Sequence, residues 1–235
     1  MGAGELSARG PAMERLARLA ADASRVEYFA ALRAAIAEHY LAEPGNPYRE
    51  SGRSSGAERW DETRRCIAEA VDRDGSFMDV GCANGLLLET VSRWCLEKNV
   101  AITPHGIDFV PELVSLARAR HPAHRDSFEV ANAWDWEPRR RYDYVRIGIE
   151  IVRPADRADF VRRALARSVA DDGRLIVCHY RNAGDEPADV VGWLEGIGQR
   201  VAGAARAPGV EVAWIDAGGA NGRSGARASH GGNRG

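Results

Sequence analysis

The chain has 235 residues, 45% of them hydrophobic and 28% charged, with a formal net charge of −2. That suits one soluble α/β domain with some appended structure, and the near balance of charge disfavours a nucleic-acid binder, which carries a basic excess on one domain. No apolar run approaches the ~20 residues needed to cross a bilayer, and the start, MGAGELSARG, lacks the basic-then-apolar pattern of a secretory signal. The expectation is a cytoplasmic protein with no membrane partner. Cys66, Cys82, Cys95 and Cys178 show neither C-x-x-C pairing nor a histidine at metal-ligand spacing, which predicts four reduced thiols and no metal.

Residues Pro11 to Tyr40 read as helix, with Phe29, Leu32, Ile36 and Tyr40 recurring on one face and Leu16, Leu19, Ala23 and Val26 forming an earlier stripe. Glu43 to Gly56 is rich in Pro, Gly and Ser and reads as loop. A short helix over 57–71 leads into an alternation of strands and helices, the signature of a parallel sheet covered on both faces. Strands are expected at Ser76 to Gly81, Ala101 to Asp108, Ser127 to Ala131, Tyr142 to Ile147 and Arg174 to His179. Helices are expected at Leu86 to Lys98, Pro111 to Arg120, Ala155 to Val169 and Ala188 to Ile197, Pro111 standing at a first turn where its missing N–H costs nothing. Arg200 to Ala205 and Val210 to Asp216 then read as a hairpin around Pro208 and Gly209. The tail from Gly218 holds no apolar residue larger than Ala and is expected to be disordered.

The segment Asp79-Val80-Gly81-Cys82-Ala83-Asn84-Gly85 joins a strand to a helix. Gly81 and Gly85 permit a tight turn and close ligand approach, and the helix start offers N–H groups and a positive dipole end. A dinucleotide G-x-G-x-x-G fails, because Ala83 and Leu86 stand at the second and third glycines, and a phosphate-cradling loop fails for want of a G-K-[ST] ending.

The segment resembles motif I of class I S-adenosylmethionine methyltransferases, D-x-G-x-G-x-G, with Ala83 at the middle glycine, a difference read as mild because Ala adds one methyl. The resemblance spans about Ser76 to Asp216. It implies a Rossmann-like, seven-stranded, mostly parallel sheet ending in an antiparallel hairpin, with an N-terminal helical segment. It implies that Asp79 orients the turn or the methionine amino group, and that Gly81, Cys82, Ala83 and Gly85 pass beneath S-adenosylmethionine. Asp108, ending the second strand, would accept from the ribose hydroxyls, and Phe109 would touch adenine. Asn132 would read the adenine amino group through its side-chain carbonyl, beside Ala133 and Trp134, and Arg146 would lie under the methionine part. Each has a plainer alternative: a cap for Asp79, core or rim packing for Trp134 and Trp136, a solvated turn for Arg139 to Arg141.

Methyl transfer from a sulfonium is an in-line displacement that needs mainly alignment and exclusion of water, and a base only when the acceptor must lose a proton. No catalytic residue is assigned from sequence. His179, closing the fifth strand, is the best base candidate, although backbone bonding explains it as well. Tyr48, Arg53, Arg59 and Trp60 are candidates to close the site or touch the acceptor, and His39 and Tyr40 could reach it if the N-terminal helices fold over it. The Asn/Asp-Pro-Pro-Tyr/Phe motif of adenine and glutamine enzymes is absent, the region reading Arg146-Ile147-Gly148-Ile149-Glu150. The sequence therefore points to a methyltransferase acting on a small-molecule acceptor. The alternatives are an RNA or protein methyltransferase, or a non-catalytic S-adenosylmethionine-binding protein, with a nicotinamide oxidoreductase third. The expected division is 1–56 for N-terminal helices and a lid-like loop, 57–217 for the methyltransferase domain and 218–235 for the tail.

Overall fold

The computed structural model describes residues 23–52, 56–180 and 189–220. Leu16, Leu19, Arg53 and the tail beyond residue 220, all named above, lie outside the described residues.

Helix α1 (Arg25–Tyr40) opens on a capping box, in which the Ser24 side chain accepts the Glu27 N–H and the Glu27 carboxylate accepts the Ser24 N–H. Its stripe is buried at Phe29 and Leu32, whereas Val26, expected on an apolar face, is 80% exposed. The predicted helix over 57–71 is two elements. α2 (Gly56–Arg64) tightens into a 3₁₀ stretch, Arg65–Ala70.

There follow β1 (Gly75–Val80), α3 (Leu86–Leu96), β2 (Ile102–Asp108), α4 (Pro111–Arg120), β3 (Phe128–Val130) and β4 (Tyr142–Gly148). Then come α5 (Arg157–Ser168), β5 (Val169–Tyr180), α6 (Val190–Gly196), β6 (Gly203–Ala207) and β7 (Val210–Asp216). β1 shows why its residues form a central strand. Successive side chains enter opposite cores, Phe77 joining Leu88, Val91 and Trp94 of α3, while Met78 and Val80 join Val161 of α5 and Leu32 of α1.

The seven strands lie in the order β3-β2-β1-β4-β5-β7-β6. β1 to β5 are parallel, and β7 runs antiparallel to both β5 and β6. The chain builds outward from β1 to β3 and then returns to add β4 on the other side. The loops leaving the carboxyl ends of β1 and β4 therefore diverge and open a crevice between them.

Two strands depart from expectation. β5 begins at Val169 rather than Arg174, with a register shift against β4 between Tyr142 and Tyr144. Gly173 allows it, since a Cβ there would lie 2.8 Å from the Asp143 carbonyl oxygen. β6 begins at Gly203, over which the Trp214 ring packs so closely that a Cβ would collide with it. The hairpin turns through Pro208 and Gly209, the latter at φ +71°. All four cysteines are buried and free. Among the described residues no helix is long and apolar enough to cross a membrane.

Candidate functional site

The crevice holds a cavity of about 280 Å³. One wall is the glycine turn, supplying Asp79, Gly81, Cys82 and Ala83, flanked by Asp108 at the end of β2 and Phe109 just after it. Asn132 and Ala133 after β3 close one end, and Arg146 within β4, Glu150 just beyond it and Tyr180, the last residue of β5, close the other. The facing wall is α1, which contributes Phe29, Leu32, Ala35, Ile36, His39 and Tyr40. The apolar stripe read from the sequence is thus the face that α1 turns to the cavity.

The turn is held from three sides. Gly81 stands at φ +82°, and a Cβ there would meet only Ile151 at 3.8 Å, so its face is open to a ligand. Ala83 stands at φ +46°. The substitution for glycine is therefore not mild: this is the left-handed region, which costs an L-residue about 1–2 kcal/mol. Asp108 holds the strained residue, its Oδ2 accepting the Ala83 N–H at 3.0 Å while Oδ1 accepts the Val110 N–H at 3.0 Å. Burial pushes the Asp108 carboxyl up to about 6, against the lowering effect of those N–H groups.

Asn84, quoted in the motif but given no role from sequence, is the hub. Fully buried, it donates to the Pro47 carbonyl at 2.9 Å and to Glu50 Oε2 at 3.2 Å. Its Oδ1 accepts from Ser51 Oγ at 2.5 Å and from the Leu86 N–H at 3.1 Å. It thereby ties the segment after α1 to the glycine turn. It also takes a first-turn N–H of α3 that the sequence reading offered to an anionic ligand.

At the floor, Arg146 donates to Asp79 Oδ1 at 3.0 Å and to the Tyr180 hydroxyl at 2.7 Å. Among the described residues, Asp79 Oδ2 is buried and has no hydrogen-bond partner. Burial pushes the Asp79 carboxyl up, and the Arg146 guanidinium pulls it back. Arg64, 7% exposed, lies over the other part of the site with its guanidinium carbon 4.0 Å from the Tyr180 ring centroid. Tyr40 is pushed up to about 12 by burial, and Gly52, at φ +79°, is the only residue type that fits against its ring.

Of the residues named from sequence, Asp79, Gly81, Cys82, Ala83, Asp108, Phe109, Asn132, Ala133 and Arg146 line this cavity, as do Trp60, His39 and Tyr40. Asn132 differs from expectation in detail, since its Oδ1 already accepts the Trp134 N–H at 2.9 Å. Gly85, Trp134, Tyr48 and His179 lie away from the cavity. Gly85 caps α3 at φ +76° and faces α4, where a Cβ would lie 3.2 Å from the Ala117 Cα. Trp134 carries two guanidiniums over its ring, Arg25 at 4.3 Å and Arg163 at 4.6 Å from the centroid. With the 2.8 Å pair of Arg25 and Asp156, it fastens the start of α1. Tyr48 packs against Trp60, ring centroids 6.0 Å apart. His179 is 1% exposed within β5, beside Glu211 of β7. Sequence reasoning missed Arg64, Glu150 and Tyr180. The last two lie at or just past ends of strands whose edge was already implicated, a usable signal, whereas nothing local marks Arg64.

No protein-family model matches the chain, and no curated protein does. Solved structures do. A 1,6-didemethyltoxoflavin-N1-methyltransferase of Burkholderia thailandensis, with 1,6-didemethyltoxoflavin and S-adenosylhomocysteine bound, is similar with a TM-score of 0.56 at 17% identity, over 83% of this chain and 90% of that one. A TehB-like SAM-dependent methyltransferase of Corynebacterium glutamicum is similar at 0.52 and 17% identity, over 75% and 95%. The (4+2)-cyclase SpnF is similar at 0.52 and 20% identity, over 77% and 73%. The chain has the Rossmann-like α/β fold of S-adenosylmethionine-dependent methyltransferases.

Proposed function

We propose that the protein is an S-adenosylmethionine-dependent methyltransferase acting on a small-molecule acceptor. The observation that carries this reading is the convergence of Asp79, the Gly81 turn and Asp108 on one cavity at the carboxyl edge of β1 and β2.

The residues present fit the cofactor. The unpartnered Asp79 Oδ2 is an acceptor suited to an ammonium group. Asp108 spends one lone pair of each oxygen on backbone N–H groups and keeps another for ribose hydroxyls. Phe109, Ile36 and Ala133 offer apolar surface to adenine, and Asn132 keeps its amide N–H₂ and one lone pair for the ring edge. Three carboxylates (Asp79, Asp108, Glu150) and two guanidiniums (Arg64, Arg146) face the cavity, an imbalance that favours a ligand of net positive charge. When bound, the cofactor supplies an electrophilic methyl carbon. The chain's own residues orient it, and α1 screens it from water.

A small acceptor is supported by the modest cavity volume under α1 and by the 1,6-didemethyltoxoflavin named as bound to the Burkholderia neighbour. Because one neighbour is named a cyclase, fold alone does not decide the reaction. Calorimetric titration with S-adenosylmethionine, S-adenosylhomocysteine and NADPH tests the cofactor. Micromolar binding of the two sulfur ligands, weakened tenfold or more by Asp108→Ala, is expected. Binding of NADPH alone would overturn the reading. Release of S-adenosylhomocysteine on screening small acceptors then tests turnover. The division into an N-terminal wall, a catalytic domain and a tail, and a cytoplasmic location, belong to the same proposal.

A further inference from the structure

Glu150 lies in the 3₁₀ turn that follows β4, and it faces the cavity. Its Oε2 is buried and has no hydrogen-bond partner among the described residues. Arg153, the nearest basic residue in sequence, donates to Asp156 and the Ala23 carbonyl, and Arg146 spends its terminal nitrogens on Asp79 and Tyr180. A buried polar atom left without a partner is destabilising, the more so when charged. A carboxylate kept at that cost inside a ligand cavity is explained by a ligand donor better than by the fold.

Its position says which ligand group it meets. Val80 of β1 pairs with Ile147 of β4, so Gly81, just past β1, and Gly148, the last residue of β4, are the next residues along adjacent parallel strands. Glu150 Oε1 stands where a Cβ on Gly148 would be 2.7 Å away, while a Cβ on Gly81 would come no closer than 3.8 Å to Ile151, which leaves the face of Gly81 open. Asp108 lies on the opposite flank, as the last residue of β2. A ligand running from Asp108 across Gly81 toward Asp79 therefore passes its sulfur end beside Glu150. Tyr40, Trp60, Tyr180 and Arg64 line the space beyond.

Resting on the methyltransferase reading above, we propose that Glu150 is the acceptor-side catalytic base, receiving the proton of an amine or hydroxyl nucleophile. As the nucleophilic nitrogen or oxygen gains the methyl group, the pair that bonded methyl to sulfur stays on sulfur. The proton released from the nucleophile passes to Glu150 and from there to solvent. Burial, opposed chiefly by Arg146, lifts the Glu150 carboxyl above the ordinary range, toward the basicity the task needs. The acceptor class that follows is a nucleophile bearing an N–H or O–H.

The test uses two cofactor analogues and needs no acceptor. Sinefungin carries an amine-bearing carbon where the methyl-sulfonium stands, and S-adenosylhomocysteine carries a neutral thioether. By calorimetry the wild-type protein is expected to bind sinefungin at least tenfold tighter than S-adenosylhomocysteine, because the amine completes the Glu150 oxygen. Glu150→Gln, of the same shape, is expected to lose that preference while binding S-adenosylhomocysteine within twofold of wild type. The proposal is overturned if the wild type shows no preference for sinefungin, a result that needs no variant to fold. It is equally overturned if Glu150→Gln keeps the preference or weakens both ligands alike. Failure of the wild type to bind either analogue would instead remove the methyltransferase reading on which it rests.

Discussion

Replacing Asn84 by alanine removes four hydrogen bonds, but the cost is set by what is left behind. Ser51 Oγ and the Pro47 carbonyl keep each other, at 2.9 Å. Two groups do not recover: the Leu86 N–H, in a residue 5% exposed, and Glu50 Oε2, in a residue also 5% exposed. Each stranded group costs about 1–3 kcal/mol, the carboxylate at the upper end, so Asn84→Ala should lose about 3–5 kcal/mol of stability. That is a large part of the 5–15 kcal/mol a domain typically has. Denaturant unfolding followed by circular dichroism measures it, with the slope unchanged if only the native state is affected. Asn84→Asp keeps the shape but sets a second carboxylate beside Glu50, so it should be destabilised at neutral pH and partly recover as pH falls. A loss below about 1 kcal/mol for Asn84→Ala would show that water or a shifted backbone satisfies both groups, and the hub argument would fail.

Two further outcomes follow from the glycine turn. Ala83→Gly relieves about 1–2 kcal/mol of left-handed strain, but loses a buried methyl worth about 0.8 kcal/mol and adds about 0.4–1 kcal/mol of unfolded-state entropy. Thermal unfolding should therefore move little, and a change beyond about 1.5 kcal/mol either way would contradict the geometry of the turn. Asp108, raised to about 6, binds its proton more tightly folded than unfolded. Its contribution is fully present below its unfolded value of about 4 and is lost as pH rises through about 6. Asp72, Asp143 and Asp156 are lowered and act in the opposite sense. The diagnostic is accordingly the wild-type stability curve minus that of Asp108→Asn, which should decline between pH 4 and 6. A flat difference would mean that Asp108 is not raised.

The order of elements was legible because hydrophobic period and turn residues are local, and the strand of residues 76–81 and the helix beginning at Pro111 need no tertiary information. Strand length was less so: the extension of β5 back to Val169 depends on a partner, β4, and on the room Gly173 leaves at Asp143. In the site, residues next to strand ends could be read, since topology brings those ends together. Backbone sign could not, and so the strain at Ala83 escaped notice. Nor could long-range pairing: Arg64 meets Tyr180, and Asn84 meets Glu50, through contacts between segments far apart in sequence. Trp134 sits in the right loop but faces Arg25 and Arg163, a choice between two sides of one turn that no spacing encodes.

Helix α1 is pinned at its start by Arg25 on Asp156 and Trp134, and at its end by the Tyr40 ring against Gly52. Traffic through the cavity is then a matter of timing as much as of affinity. If a molecule seated behind α1 leaves when the Arg25 pin is withdrawn, residence time and exchange rate are set partly by contacts outside the cavity lining. Selection could then change how often the protein empties and refills by altering Arg25 while leaving the chemistry at the strand ends as it is.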